Sequence, residues 1–197
     1  MQTPYAATIR PETGLNNGRL GLYLFLAAEV MFFGALFSSY AFLRAANPNW
    51  SEQIAALSPV LSYAQVAVLF LAWIAAIRAQ RFLHRGQYET FWFSSVSALV
   101  AAGAFVWLAI LQLMRLSDAS LLPKTSTFIA LYYILALVMA LHVGAGVLAG
   151  LQQITLGRKL QQRSSELYLS RAEGMAVFHG FNTIVWVITM ALFVWMR

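Results

Sequence analysis

Five long apolar runs constrain the fold of this chain more than any other feature. Each is more than 20 residues long, and together they cover residues 20–43, 57–77, 91–114, 128–154 and 174–196. About 20 apolar residues in a helix cross the roughly 30 Å hydrocarbon core of a bilayer. Barrel strands are about half as long and alternate in polarity, whereas helices satisfy their own backbone groups in lipid. The sequence therefore predicts an all-α integral membrane bundle of five transmembrane helices, forming a single domain over residues 1–197.

The composition supports a membrane protein and excludes several functions. Apolar residues make up 60% of the chain and charged residues 10%, whereas soluble domains carry about 25% charged residues. Without cysteine there is no disulfide, thiolate metal site or thiol nucleophile. No phosphate-binding loop, dinucleotide fingerprint or nucleophile motif is visible, so no catalytic residue is expected. The net charge of +6 arises from Lys and Arg between apolar runs, which is typical of contact with membrane lipid and not of nucleic-acid binding.

The distribution of Lys and Arg predicts the orientation of the chain. The N-terminus and the second and fourth loops together contain nine of these residues, and the opposite side contains four. Cytoplasmic segments of membrane proteins carry the excess of positive charge. We therefore expect the N-terminus inside and the C-terminus outside.

Glu29 is the only charged residue within the five runs. It lies about ten residues into its span, or ~14 Å along the helix, where an ionised carboxylate costs at least about 2.5–3.5 kcal/mol. Helical spacing places Phe25, Phe32 and Phe33 around it, and none of them stabilises a charge. We expect the carboxyl to be largely protonated at neutral pH. It then either donates a hydrogen bond to a neighbouring helix or subunit, or forms a proton-linked or partner-contact site.

His142 lies near the middle of the fourth run and shares a helix face with Gly146 and Gly150. Small residues four positions apart let membrane helices approach closely. This pattern predicts a helix-contact surface with a hydrogen-bonded histidine.

His179 begins a polar stripe on the fifth run, continued by Asn182, Thr183 and Trp186 on the same helix face. We expect this stripe to meet another helix or a lipid head group. His142 and His179 are expected at depths that differ by ~10 Å, which is unsuitable for two axial ligands of one haem. We therefore expect no metal and no cofactor site in this chain.

The first run closely resembles the helix of cytochrome c oxidase subunit III that carries a membrane-buried glutamate. Its residues 21–34 read GLYLFLAAEVMFFG, and Tyr40 and Arg44 follow. Further resemblances come in family order and comprise residues 105–112, 126–128, 141–146, 178–181 and Trp186. Five helices fit the short bacterial form of the family, which lacks the first two of seven helices.

The resemblance implies a non-catalytic subunit III of a haem–copper terminal oxidase in a bacterial inner membrane. Its partners would be the catalytic subunit I, subunit II and membrane lipid, and haem and copper would be in the partner subunits. Subunits of this family bind phospholipid and support proton uptake and durable turnover. Glu29 matches the family residue that reacts with hydrophobic carbodiimides. The Glu29 face and the glycine-rich face of the fourth run are the first candidates for contact with the catalytic subunit.

Alternative functions stay open at this point. Met139, Arg115 and Asn182 stand where the family commonly has other residues, so a quinol oxidase or a nitric-oxide-reductase-associated relative is also compatible. From another class, a small proton-coupled transporter would use Glu29 as its carrier. A transporter usually lines an aqueous path with several polar residues and often contains repeats, and neither feature is visible here.

Overall fold

The computed structural model describes residues 9, 11, 14–47, 50, 57–163 and 165–195, except for the side chains of 158–161 and 163. These residues form five long helices in chain order. The helices are α1 (Asn17–Ala45), α2 (Pro59–His84), α3 (Tyr88–Asp118), α4 (Thr127–Arg163) and α5 (Ser165–Met190). A short π-helical turn, Ala191–Trp195, continues α5. All five helices are long and apolar enough to cross a membrane. The prediction of an all-α, multi-pass membrane protein is therefore confirmed, while the orientation of the termini stays a prediction.

The helices extend beyond the apolar runs from which they were predicted. α4 continues nine residues past the predicted end at 154, and α5 begins nine residues before the predicted start at 174. The predicted bounds are too narrow because they stop where apolar residues stop. A helix continues through polar residues where it leaves the hydrocarbon, since its hydrogen bonds lie within the segment.

Local sequence sets several helix ends. Asn16 accepts a hydrogen bond from the backbone N–H of Arg19, at 2.9 Å, and so caps α1. α2 begins with Pro59 in its first turn, where no backbone donor is needed. After α2, Gly86 adopts a φ of +69°, a left-handed conformation that favours glycine and ends the helix.

α5 is the central helix of the bundle. Of its most apolar 18-residue window, 56% is buried, compared with 11% of the corresponding window of α1. α5 contacts α2, α4 and α1, and α3 packs against both α2 and α4. α1 therefore lies at the edge of the bundle, held by α5 and α4.

Aromatic side chains fill the core between the helices. The rings of Phe105 and Trp186 meet edge to face at 5.1 Å between centroids, joining α3 to α5. The π-helical turn directs Phe193 against Tyr40, Phe128 and Tyr132. Edge-to-face and offset rings stabilise such cores beyond their buried area.

Candidate functional site

Glu29 and His142 form a hydrogen-bonded pair across the α1–α4 interface. Oε2 of Glu29 lies 2.8 Å from Nε2 of His142. The two side chains are 16% and 18% exposed, so the pair lies at the rim of the bundle and not in its core. The pair is therefore partly accessible at the surface of this chain, where either lipid or a neighbouring subunit would lie.

The backbone assigns the hydrogen on the other side of the His142 ring. Nδ1 lies 2.9 Å from the carbonyl oxygen of Val138, which can only accept, so Nδ1 must donate. Nε2 then either accepts from a protonated Glu29 or donates to an ionised one. In both arrangements the pair is neutral overall and shares one proton between the carboxyl and the imidazole.

Of the expected partners of Glu29, a neighbouring helix or another subunit, the structure shows a neighbouring helix, but the three phenylalanines expected around Glu29 are not its only neighbours. The phenylalanines were predicted from spacing along α1, whereas His142 approaches from α4. Phe33 does lie nearby, but its ring packs against the imidazole of His142, with 5.5 Å between centroids. The sequence did contain a hint of this pairing. Glu29 lies about ten residues, and His142 about twelve, from the end of its run on the predicted cytoplasmic side, so the two residues are expected at similar depths in the membrane.

Gly146 and Gly150 lie where α4 approaches its neighbours. A Cβ atom on Gly146 would lie 2.7 Å from Cε1 of Phe178 on α5. A Cβ on Gly150 would collide with the side chain of Leu99 on α3. By contrast, Gly144 on the same helix has open space around it. The face of α4 that carries Gly146 and Gly150 is therefore a helix-contact face.

The polar stripe of α5 faces the interior of the bundle. His179, Asn182, Thr183 and Trp186 are each at most 1% exposed. Thr183 donates to the carbonyl oxygen of Leu69 on α2, at 3.2 Å, and Trp186 packs on α3. Of the two expected surroundings, a neighbouring helix or a lipid head group, the structure shows the first.

A charged cluster that the sequence analysis did not identify joins three helices. Glu173 on α5 pairs with Arg19 on α1, and its other carboxylate oxygen lies 3.0 Å from Nε2 of His84 on α2. Close by in the sequence, Asn16 donates to the hydroxyl of Ser170 at 3.0 Å. These contacts attach the peripheral helix α1 to α5, and no periodic pattern in the sequence marks them.

A groove runs between α1, α4 and α5. Its walls are mostly apolar and include Leu22, Phe25 and Phe178. Arg19 and Arg171 lie in the first two turns of α1 and α5 and also border the groove. Apolar walls with cationic groups at one end fit an acyl chain and an anionic head group.

The described side chains offer one arrangement suited to sharing a proton. It is the hydrogen bond that joins the carboxyl of Glu29 to the imidazole of His142. Within the ranges that the structure describes, no group of three or more His, Asp or Glu side chains is arranged to hold a metal ion.

Comparison with known proteins identifies a relative that matches most of the chain. No protein-family model matches the chain. The chain is similar to a protein of Thermostichus vulcanus named cytochrome c oxidase subunit 3, with 23% identity over 177 residues. The matched region covers 88% of this chain and 84% of that protein. This similarity supports the resemblance to the subunit III family that the sequence analysis identified.

Proposed function

We propose that this chain is the non-catalytic third subunit of a haem–copper terminal oxidase, because it is similar over most of its length to a protein named cytochrome c oxidase subunit 3. The observation that carries the proposal is similarity over 88% of this chain and 84% of the relative. A match of this extent includes most of the five-helix region and not one generic apolar helix. The enzyme would oxidise cytochrome c, reduce oxygen and move protons across a bacterial inner membrane.

In this proposal the chain itself performs no oxygen chemistry. Subunit I and subunit II would contain the haem and copper, and this chain would pack on subunit I. The interior of the bundle is filled by its own side chains, with Trp186 and Phe105 fully buried at its centre. This packing supports a scaffold role better than a role in carrying a large cofactor.

The Glu29–His142 pair supports a role close to proton uptake. A proton can move between carboxyl and imidazole over a 2.8 Å hydrogen bond without changing the net charge of the pair. Such a neutral pair is compatible with lipid, where an isolated carboxylate is costly. We propose that it supports proton uptake and durable turnover of the complex by keeping this edge of the bundle both polar and uncharged.

The groove between α1, α4 and α5 supports binding of an anionic phospholipid. An acyl chain would lie against Phe25 and Phe178, whose rings are 6.5 Å apart between centroids. The phosphate would lie near Arg171, which is exposed. Arg19 is less available because it is paired with Glu173.

Isolation of the intact assembly tests the proposal. The chain, tagged at one end, is captured in mild detergent, and the visible spectrum of the preparation is recorded as reduced minus oxidised. We expect co-purifying larger chains and an a-type haem band. Haem b or haem o without haem a would instead indicate a quinol oxidase or a nitric-oxide-reductase-associated complex.

A colourless preparation of this chain alone would overturn the proposal. The detergent conditions are validated by isolating a known membrane complex from the same cells. If the preparation is colourless and contains this chain alone, a proton-coupled transporter based on Glu29 becomes the better hypothesis, because the hydrogen bond between Glu29 and His142 could pass a proton.

A further inference from the structure

A small pocket lies between α2, α3, α4 and α5, apart from the Glu29–His142 pair. Alanines form much of its wall, including Ala76 and Ala98, and three of its lining side chains are polar. These are Ser95 on α3, Gln153 on α4 and His179 on α5. The pocket therefore combines an apolar wall with hydrogen-bonding groups from three helices.

His179 is the polar group in this pocket that most needs a partner. His179 is 1% exposed. Within the described part of the chain, neither Nδ1 nor Nε2 of its ring has a hydrogen-bond partner. A neutral imidazole presents one donor and one acceptor, and buried polar atoms in proteins are nearly always hydrogen-bonded. A ligand that both donates and accepts would satisfy this ring.

The volume of the pocket indicates which kind of ligand fits it. A volume of about 20 Å³ is open to the centre of a water molecule, whereas one buried water needs about 10–15 Å³ and two to four polar partners. We propose that this pocket binds one or two water molecules through His179, together with Ser95 and Gln153. An organic molecule is too large for this volume, and the lining side chains include no carboxylate that would hold a metal cation.

The next turn of α5 contains a second buried side chain that lacks a hydrogen-bond partner among the described residues. Asn182 is fully buried, and both atoms of its side-chain amide have no partner among the described residues. It follows His179 on the same helix face. Water bound at His179 is therefore placed at one end of a polar strip inside the bundle.

X-ray radiolytic footprinting in ¹⁸O-labelled water tests this proposal, because radiolysis of a bound water oxidises the side chain beside it. The protein is purified in mild detergent with the subunits that accompany it. We expect ¹⁸O incorporation at His179 on the order of tenfold above that at Phe105, since Phe105 is fully buried among apolar groups and dry sites hold no water. Labelling of His179 at the level of Phe105 would overturn the proposal.

A matched pair of variants locates the water. Ala98→Val adds two methyl groups to the pocket wall, and Ala102→Val adds the same groups one turn along α3, where Ala102 is buried but does not line the pocket. We expect Ala98→Val to lower His179 labelling by at least about fivefold, because a filled pocket excludes water, and Ala102→Val to leave it unchanged. Unchanged labelling in Ala98→Val would contradict the assignment to this pocket. Should Ala98→Val fail to fold, the wild-type comparison of His179 with Phe105 decides alone.

Discussion

Nε2 of His142 on α4 lies 2.8 Å from Oε2 of Glu29 on α1, and Nδ1 of the same ring donates to the carbonyl oxygen of Val138. The backbone thereby fixes the position of one imidazole hydrogen and leaves Glu29 and His142 with one proton to share. The same hydrogen bond attaches the least buried helix of the bundle to its neighbour. The sharing of a proton and the attachment of α1 to α4 thus depend on one contact.

The hydrogen bond itself is tested by two substitutions at Glu29. Glu29→Ala leaves Nε2 of His142 without its partner, and we expect a loss of about 0.6 kcal/mol, and at most about 1.7 kcal/mol, in the free energy of unfolding. Glu29→Gln retains a side-chain N–H that can donate to Nε2, so its loss is expected to be smaller. Thermal unfolding in detergent measures both, and equal losses would show that the bond contributes nothing.

The shared proton is tested with a hydrophobic carbodiimide, which reacts with a protonated carboxyl in lipid. We expect labelling of Glu29, found by mass spectrometry of its peptide. His142→Phe removes the hydrogen-bond partner of the Glu29 carboxyl, which is then free to react, so its labelling should increase. His84→Phe is the control, because His84 contacts Glu173 and not Glu29. Absence of wild-type labelling at Glu29 would contradict the protonated form of the pair.

The helix-contact face of α4 is tested by enlarging its glycines. Gly146→Leu and Gly150→Leu place side chains against Phe178 and Leu99, where there is no room. We expect each to lower stability by about 1–3 kcal/mol. Gly144→Leu is the matched control, because that position is open and leucine favours a helix over glycine. Thermal unfolding in detergent compares the three, and similar effects of all three would argue against close packing at this face.

The lipid groove is tested by replacing Arg171, the exposed arginine that borders it. Arg171→Gln should lower the amount of anionic phospholipid that remains bound in native mass spectrometry, since a cationic side chain near the head group contributes about 1 kcal/mol. Arg81→Gln provides the comparison, because Arg81 is also exposed but does not line the groove. Equal loss of lipid from both variants would indicate a general charge effect and no specific site.

Much of the fold could be predicted because each transmembrane helix is recorded in a continuous stretch of sequence. The length and apolar character of the runs determine that the chain forms five membrane-spanning helices. In lipid, a single segment can satisfy its own backbone hydrogen bonds only as a helix. The same runs underestimate the lengths of the helices, because hydrophobicity marks the part of each helix in hydrocarbon and not its polar turns beyond it. The family resemblance was also available, through residues such as Glu29 and Trp186 in their order along the chain.

The lateral arrangement of the helices was decided only by the tertiary structure. Helix periodicity tells which residues of one helix share a face, but not which neighbour that face meets. For that reason His142 was missed as the partner of Glu29, and Glu173 was missed as the link between Arg19 and His84. The direction of the His179 stripe was undecided for the same reason. The sequence by itself determined how many helices cross the membrane and which polar groups enter it. Packing decided which of those groups meet, because contacts between helices join residues that are far apart in the chain, such as Glu29 and His142, 113 positions apart.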